Sequence, residues 1–445
     1  MRKILAAPAL PLLVLLLLAP PPAAAGEGAA GMREGVARAL GPVMSPRGHV
    51  IRPKTFNLER TTLTGGVAHY RFDLRVGAGE HDVVRLHRIV RERAPWIPRR
   101  APAGLFLVHG DAWGFEATFL TSLSTPEVPD PQNVAVFLAE RGLDVWGLDF
   151  RWALVPPDTT DRSFMADWDL GTSVGDLDTA LAAARLVRLA TGSGLSKLHL
   201  LGFSRGGQVG WAQLAAETAR PAGLRHVRGF VAVDHTFKTD DEAIRQESCA
   251  SYDSIAAAIA GGAVATDFRV VADIGDLAAT APDDPSPFFP ILTNADFAEW
   301  AGASAAGGAI PHLHSVGGVV DPDTFETELL YAEPAHWFAF LSGVSAFQPL
   351  GINLDGAALV CDELDSPYDD GLAEVTVPVL YVGMAGAYGA AGVYSTTLVA
   401  SPDVTTLIVS ESANPEEDWG HNDPFLAEDA ASVVWQPILD WIEAR

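Results

Sequence analysis

Leu198-His199-Leu200-Leu201-Gly202-Phe203-Ser204-Arg205-Gly206 is the stretch on which the fold turns. An apolar run of strand length gives way to a serine flanked by glycines, and helical spacing follows over residues 206–219. In a G-x-S-x-G turn between strand and helix, the serine sits in a strained bend. The glycines let neighbouring backbone approach where a Cβ would clash. The helix that follows aims its N-terminal N–H groups at the reacting centre and favours negative charge there. The pattern predicts a nucleophile at Ser204.

Upstream, the same rhythm recurs. Leu105-Phe106-Leu107-Val108 is a short apolar run ending in His109-Gly110. A predicted helix at 131–141 and a strand at 144–149 follow, and helical spacing returns at Val174, Leu177, Leu181, Ala184 and Val187. Downstream, Phe230-Val231-Ala232-Val233 is another strand. Before these units, residues 67–74 and 81–90 read as strands joined by a hairpin at Gly77-Ala78-Gly79. Repeated βα units of this kind predict an α/β fold with a mostly parallel sheet flanked by helices. The rhythm stops over 237–375, which is rich in Ala, Asp and Pro, and resumes with strands at 377–382 and 404–409 and a closing helix at 430–443. The expected organisation is a leader at 1–25, a lead-in at 26–60, a core formed by 61–236 and 376–445, and a cap or lid insertion at 237–375.

With these motifs in place, the chain resembles the α/β-hydrolase superfamily, with acid-lipase-like features. Val108-His109-Gly110-Asp111 looks like the family's His-Gly loop. Asp149-Phe150-Arg151-Trp152, Trp168-Asp169-Leu170 and Asp176-Leu177 are similar to the stretch before the elbow in acid-lipase-like members. Trp419-Gly420-His421-Asn422-Asp423 looks like the loop carrying the base. The resemblance covers roughly 60–236 and 376–445. It implies a serine hydrolase whose oxyanion hole uses the backbone N–H groups of Arg205 and Asp111.

A serine hydroxyl needs a base, and histidine is suited to that near pH 7. Of the six histidines after Ser204, His421 alone follows the last predicted strand, which fits the chain order Ser, acid, His. The acid stays open at this stage. The family usually carries it after the strand at 377–382, but residues 383–392 contain no carboxylate. Asp234, at the end of the preceding strand, is the leading alternative, although a carboxylate there often caps the strand. Glu411 is a second alternative. Asp418 and Asp423 are too close to His421 in sequence to orient its ring.

The chain has 445 residues, with 56 acidic against 30 basic side chains and a formal charge of −26. That leaves no basic face for a nucleic acid. Arg2 and Lys3, the apolar run to Ala19, Pro20-Pro21-Pro22 and Ala23-Ala24-Ala25 read as a cleaved secretory signal. Its removal takes the charge from −26 to −28. No other window reads as a membrane span. Export to an extracellular or periplasmic space would allow Cys249 and Cys361, both in the insertion, to form a disulfide. Pro311-His312-Leu313-His314 could suggest a metal site, but no matching Cys/His/Asp cluster is evident and it reads as a solvated or substrate-facing loop, while Asp321-Pro322-Asp323 lacks the spacing of a Ca²⁺ loop. The aromatics Phe288, Phe289, Phe297, Trp300, Trp337, Phe338, Phe340 and Phe347 either line a substrate cleft or form the lid's own core.

These features lead to an expected secreted esterase or lipase-like enzyme acting through an acyl-enzyme on Ser204. It would take a small-molecule or lipid ester and need no cofactor or metal. A peptidase or amidase with the same site, and a degenerate binding-only hydrolase fold, are the alternatives.

Overall fold

The computed structural model describes residues 43–44, 50–51 and 57–445. The leader and most of the lead-in lie outside the described residues. The central sheet is built from β1 (Glu59–Thr62), β2 (Val67–Arg75), β3 (Val83–Ala94), β4 (Gly104–Val108), β5 (Asp144–Asp149), β6 (Leu198–Phe203), β7 (Val227–Val233), β8 (Val379–Met384) and β9 (Val404–Val409). Their spatial order is β9-β8-β7-β6-β4-β5-β3-β2-β1, and Ile97–Pro98 pairs with the end of β3. The strands from β4 to β9 are mutually parallel, whereas β1, β2 and β3 are antiparallel to their neighbours.

Strands β4, β5, β6 and β8 are buried along their whole length, which explains their continuous apolar reading. Alternate side chains go to opposite faces. Phe106, Trp146, Leu200 and Phe230 meet helices α2 (Leu170–Ala190) and α3 (Arg205–Thr218) on one side. Leu105, Leu107, Val145, Leu201 and Val231 meet α1 (Val134–Glu140) and α9 (Gln436–Glu443) on the other. The edge strand β9 is largely exposed and carries Thr405 and Thr406, polar residues that suit an open edge.

Between β7 and β8 lie α4 (Glu242–Ala260), α5 (Arg269–Thr280), α6 (Asn294–Ala303), α7 (Pro334–Ser342) and α8 (Leu350–Cys361). The Cys249–Cys361 disulfide joins α4 to the end of α8. Trp337, Phe338 and Phe340 form a small core with Ala278, Ala298 and Val316, while Phe347, Ile352 and Leu359 join the main core. Phe288, Phe289, Phe297 and Trp300 pack on one another and on Phe325 in a separate, partly exposed cluster. Among the described residues no helix is long and apolar enough to cross a membrane.

Candidate active site

Ser204 joins β6 to α3 with φ 53° and ψ −125°, a left-handed backbone that non-glycine residues rarely adopt. The residues two positions away on each side must be glycines. A Cβ on Gly206 would meet the Val108 carbonyl at 2.3 Å, and one on Gly202 would meet the Gly206 carbonyl at 2.4 Å. The serine N–H is anchored on the Val233 carbonyl at 3.0 Å. The hydroxyl is thereby presented at the carboxyl end of the sheet.

His421 approaches from the loop after β9. Its Nε2 lies 2.9 Å from Ser204 Oγ, and its Nδ1 lies 2.6 Å from Asp234 Oδ2. Asp234 ends β7, is fully buried, and also has positive φ. Its other oxygen, Oδ1, accepts the N–H groups of Met384 (2.8 Å) and Gly389 (3.3 Å). These bonds come from the end of β8 and the carboxylate-free loop after it, which each hand one backbone donor to the carboxylate of the neighbouring strand. Phe203 packs against the His421 ring and Tyr388 meets it edge-on, with centroids 4.7 and 5.4 Å away. Burial pushes the Tyr388 phenol up to about 12, so it is a hydrogen-bond donor near neutrality.

The other carboxylates near His421 have backbone duties. Asp418 accepts the N–H groups of Glu411 and Trp419 and the Ser410 hydroxyl. Asp423 Oδ2 accepts Gly317 and Gly420 N–H, both at 2.7 Å, and burial raises its carboxyl to about 7. Glu411 is exposed.

The reading of residues 311–314 needs correction at His314 alone, since Pro311 is exposed and His312 half-buried. His314 is buried, neither solvated nor substrate-facing, with Nε2 2.9 Å from the Asp418 carbonyl and Nδ1 2.7 Å from that of His312. Its own carbonyl accepts the His421 N–H at 2.9 Å. Thus the insertion braces the histidine loop, a role with no signature in the local sequence. A second G-x-S-x-G, Gly171-Thr172-Ser173-Val174-Gly175, is easily overlooked in the sequence. It lies inside α2, and the Ser173 hydroxyl donates to the Asp169 carbonyl at 3.2 Å.

Arg205 follows Ser204 in the chain, and Asp111 lies in the loop after β4. The Arg205 N–H is the first of α3 and has no acceptor within that helix. The Asp111 N–H makes no hydrogen bond among the described residues. A Cβ on the adjacent Gly110 would stand 2.8 Å from Ser204 Cβ, so the two loops are in close contact. Two free donors beside a nucleophile can receive a developing oxyanion.

Elsewhere, potential ligand atoms of His69, His87 and Glu116 lie within 4.8 Å of one another. His69 Nε2 is 2.9 Å from His87 Nδ1, with nearly coplanar rings and centroids 5.1 Å apart. That separation is close to the N···N distance plus two ring radii, so one nitrogen points straight at the other. Ligands of one ion would instead aim at a common third point. His87 Nε2 continues the chain to Asp149 Oδ2 at 3.0 Å, while Asp149 Oδ1 accepts the Phe115 N–H at 2.6 Å. His69, His87 and Asp149 thus form a hydrogen-bonded support for the loop after β4. In the other group, Cys249 and Cys361 are joined to each other and offer no thiolate.

No family model and no curated protein matches the chain. Solved structures do. A Sulfolobus solfataricus protein assigned as a lipase is similar at 16% identity and TM-score 0.59, over 88% of this chain and 99% of that one. A thermophilic esterase from Thermogutta terrifontis is similar at 14% identity and TM-score 0.40, over 88% and 99% of the two chains. A soluble variant of Saccharomyces cerevisiae monoglyceride lipase is similar at 11% identity and TM-score 0.44, over 90% and 98%.

Proposed function

The chain has the α/β-hydrolase fold, and from that premise we propose that it is a secreted serine hydrolase that cleaves carboxylic esters through an acyl-enzyme on Ser204. The observation that carries this reading is the continuous relay from Asp234 through His421 to Ser204, with links of 2.6 and 2.9 Å.

In the proposed reaction Ser204 Oγ attacks the ester carbonyl carbon while His421 Nε2 takes its proton. The carbonyl electrons move onto oxygen, where the N–H groups of Asp111 and Arg205 receive the negative charge. Collapse expels the alcohol, which takes the proton from His421 and leaves the acyl group on Ser204. Water, deprotonated by His421, then releases the acid and restores the serine. Asp234 holds the imidazole in the tautomer protonated at Nδ1 and stabilises the imidazolium.

The ester preference draws on the aromatic surroundings, Phe203 and Tyr388 beside the relay and Trp113 stacked on Phe340 near the oxyanion loop. Secretion draws on the leader pattern and on the Cys249–Cys361 disulfide. The intact relay weighs against the binding-only alternative. A fluorophosphonate probe should label the wild type and fail to label Ser204→Ala, which should also lose hydrolysis of a p-nitrophenyl ester while keeping its fold. Wild-type labelling or hydrolysis in Ser204→Ala would remove the assignment.

A further inference from the structure

The two residues whose backbone N–H groups flank Ser204 also bind each other through their side chains. Arg205 Nε lies 3.0 and 3.2 Å from the two Asp111 oxygens, and Nη2 lies 3.1 Å from Oδ2. This is the planar fork on a carboxylate that arginine makes and lysine cannot. The insertion builds the seat for the pair. Gln348, fully buried, donates from Nε2 to Asp111 Oδ1 and to Asn353 Oδ1 (2.7 Å), while its Oε1 accepts the Ala112 N–H at 2.6 Å. Ala112 has φ 65°, and its carbonyl accepts the Ser345 N–H at 2.7 Å. On α8, Gly356 leaves the space that the guanidinium fills, since a Cβ there would stand 1.5 Å from Arg205 Nη1.

We propose that Gln348 is a positioning residue of the insertion: with the Asp111–Arg205 ion pair, it fixes the spacing of the two backbone N–H groups that receive the oxyanion. This deepens the reading of Ser204 as the nucleophile and rests on it. The energetics favour such a device. The donors are effective because they are already aimed when charge develops, and one misplaced donor costs roughly a hundredfold in kcat. Asp111 lies in a loop and Arg205 at a helix start; backbone packing at Gly110 and Gly206 brings the two segments together but leaves the aim of each N–H to be set by what joins the two residues. The side-chain fork spans them, and Gln348 ties it to the left-handed turn at Ala112.

The test compares ground-state and oxyanion binding in the full-length protein. A trifluoromethyl ketone adds Ser204 Oγ to its carbonyl carbon, passes the serine proton to His421 and leaves an oxyanion in the hole. In Gln348→Ala, kcat for a p-nitrophenyl ester should fall roughly tenfold to a hundredfold with KM within about twofold. Affinity for the ketone should fall by the same factor, while binding of the matching unreactive ether should not change. Asp111→Asn and Arg205→Lys keep the size of the pair and serve if Gln348→Ala does not fold. Each should lower kcat and ketone affinity together, and the double variant should lose less than the product of the two. Folded variants with unchanged kcat and ketone affinity would overturn the clamp, as would two losses that multiply. Absence of wild-type fluorophosphonate labelling would instead overturn the nucleophile reading, so the two failures are distinguishable.

Discussion

Asp234 and His421 are 187 residues apart in sequence, and 2.6 Å separates Oδ2 of the first from Nδ1 of the second. The carboxylate stands one strand away from where the family resemblance leads one to look. The end of β8 and the vacated loop after it contribute instead the N–H groups of Met384 and Gly389 to Asp234 Oδ1. The carboxylate is therefore oriented by the segment that would ordinarily carry it.

Replacing Asp234 with Asn should lower kcat by about 10⁴ with little change in KM, because the imidazole loses the partner that fixes its tautomer. Glu411→Gln should hydrolyse the same ester at the wild-type rate, since that side chain is exposed and its backbone answers to Asp418. Steady-state kinetics on both variants decide the point. A mild Asp234→Asn would remove Asp234 from the relay.

Gly110→Ala would bring a Cβ to 2.8 Å from Ser204 Cβ. Either the serine or the oxyanion loop must move, and displacements of that kind cost about a hundredfold in rate. φ at Gly110 is not in the left-handed range, so the backbone itself is unstrained by alanine, but the overpacking should still cost about 1–3 kcal/mol of stability. Paired measurements of kcat and melting temperature should show a drop in both. Unchanged kcat would contradict the close approach.

The pH dependence of stability should carry a contribution from Asp423. Its folded carboxyl is raised to about 7 by burial, above the ordinary value of 3.8. The protonated acid is thus favoured in the folded state. The resulting stabilisation is complete below the ordinary value and is lost as pH rises through 7. Asp423→Asn does not titrate. The melting temperature of the wild type minus that of this variant should therefore decrease between pH 4 and pH 8. A constant or increasing difference would be incompatible with a raised Asp423.

Cys249 and Cys361 close a loop across 112 positions. Restricting the unfolded chain in this way contributes about 5 kcal/mol in the chain-entropy description. The double Cys→Ser variant should melt at a lower temperature, and peptide mapping without reductant should recover the two cysteine peptides linked. Equal melting temperatures would show that the bond adds nothing to stability.

The parts of the fold legible from sequence were those with a local period. Continuous apolar runs identify β4, β6 and β8 because these strands are covered on both faces. The elbow is legible because Gly202 and Gly206 are required within two residues of Ser204. Asp234 could not be told from a strand cap on sequence grounds, because the two roles demand the same residue in the same place and differ in what lies opposite. The bracing role of His314 and the whole of Gln348 were not legible. Each acts across more than a hundred residues, on Asp418 and Ala112 respectively, through backbone groups that any sequence supplies. Tyr388 was visible as an aromatic residue in the loop after β8, but its edge-on contact with His421 depends on how that loop folds.

The insertion holds the site from two sides, through the His314 carbonyl on the His421 loop and through Gln348 on the oxyanion loop. Such a segment is a poor unit for exchange. Transplanting another hydrolase's cap onto this core would bring new walls for the cleft and remove the struts that hold base and oxyanion donors in register. Changes to this segment are better made one side chain at a time, at positions that belong to neither set of struts.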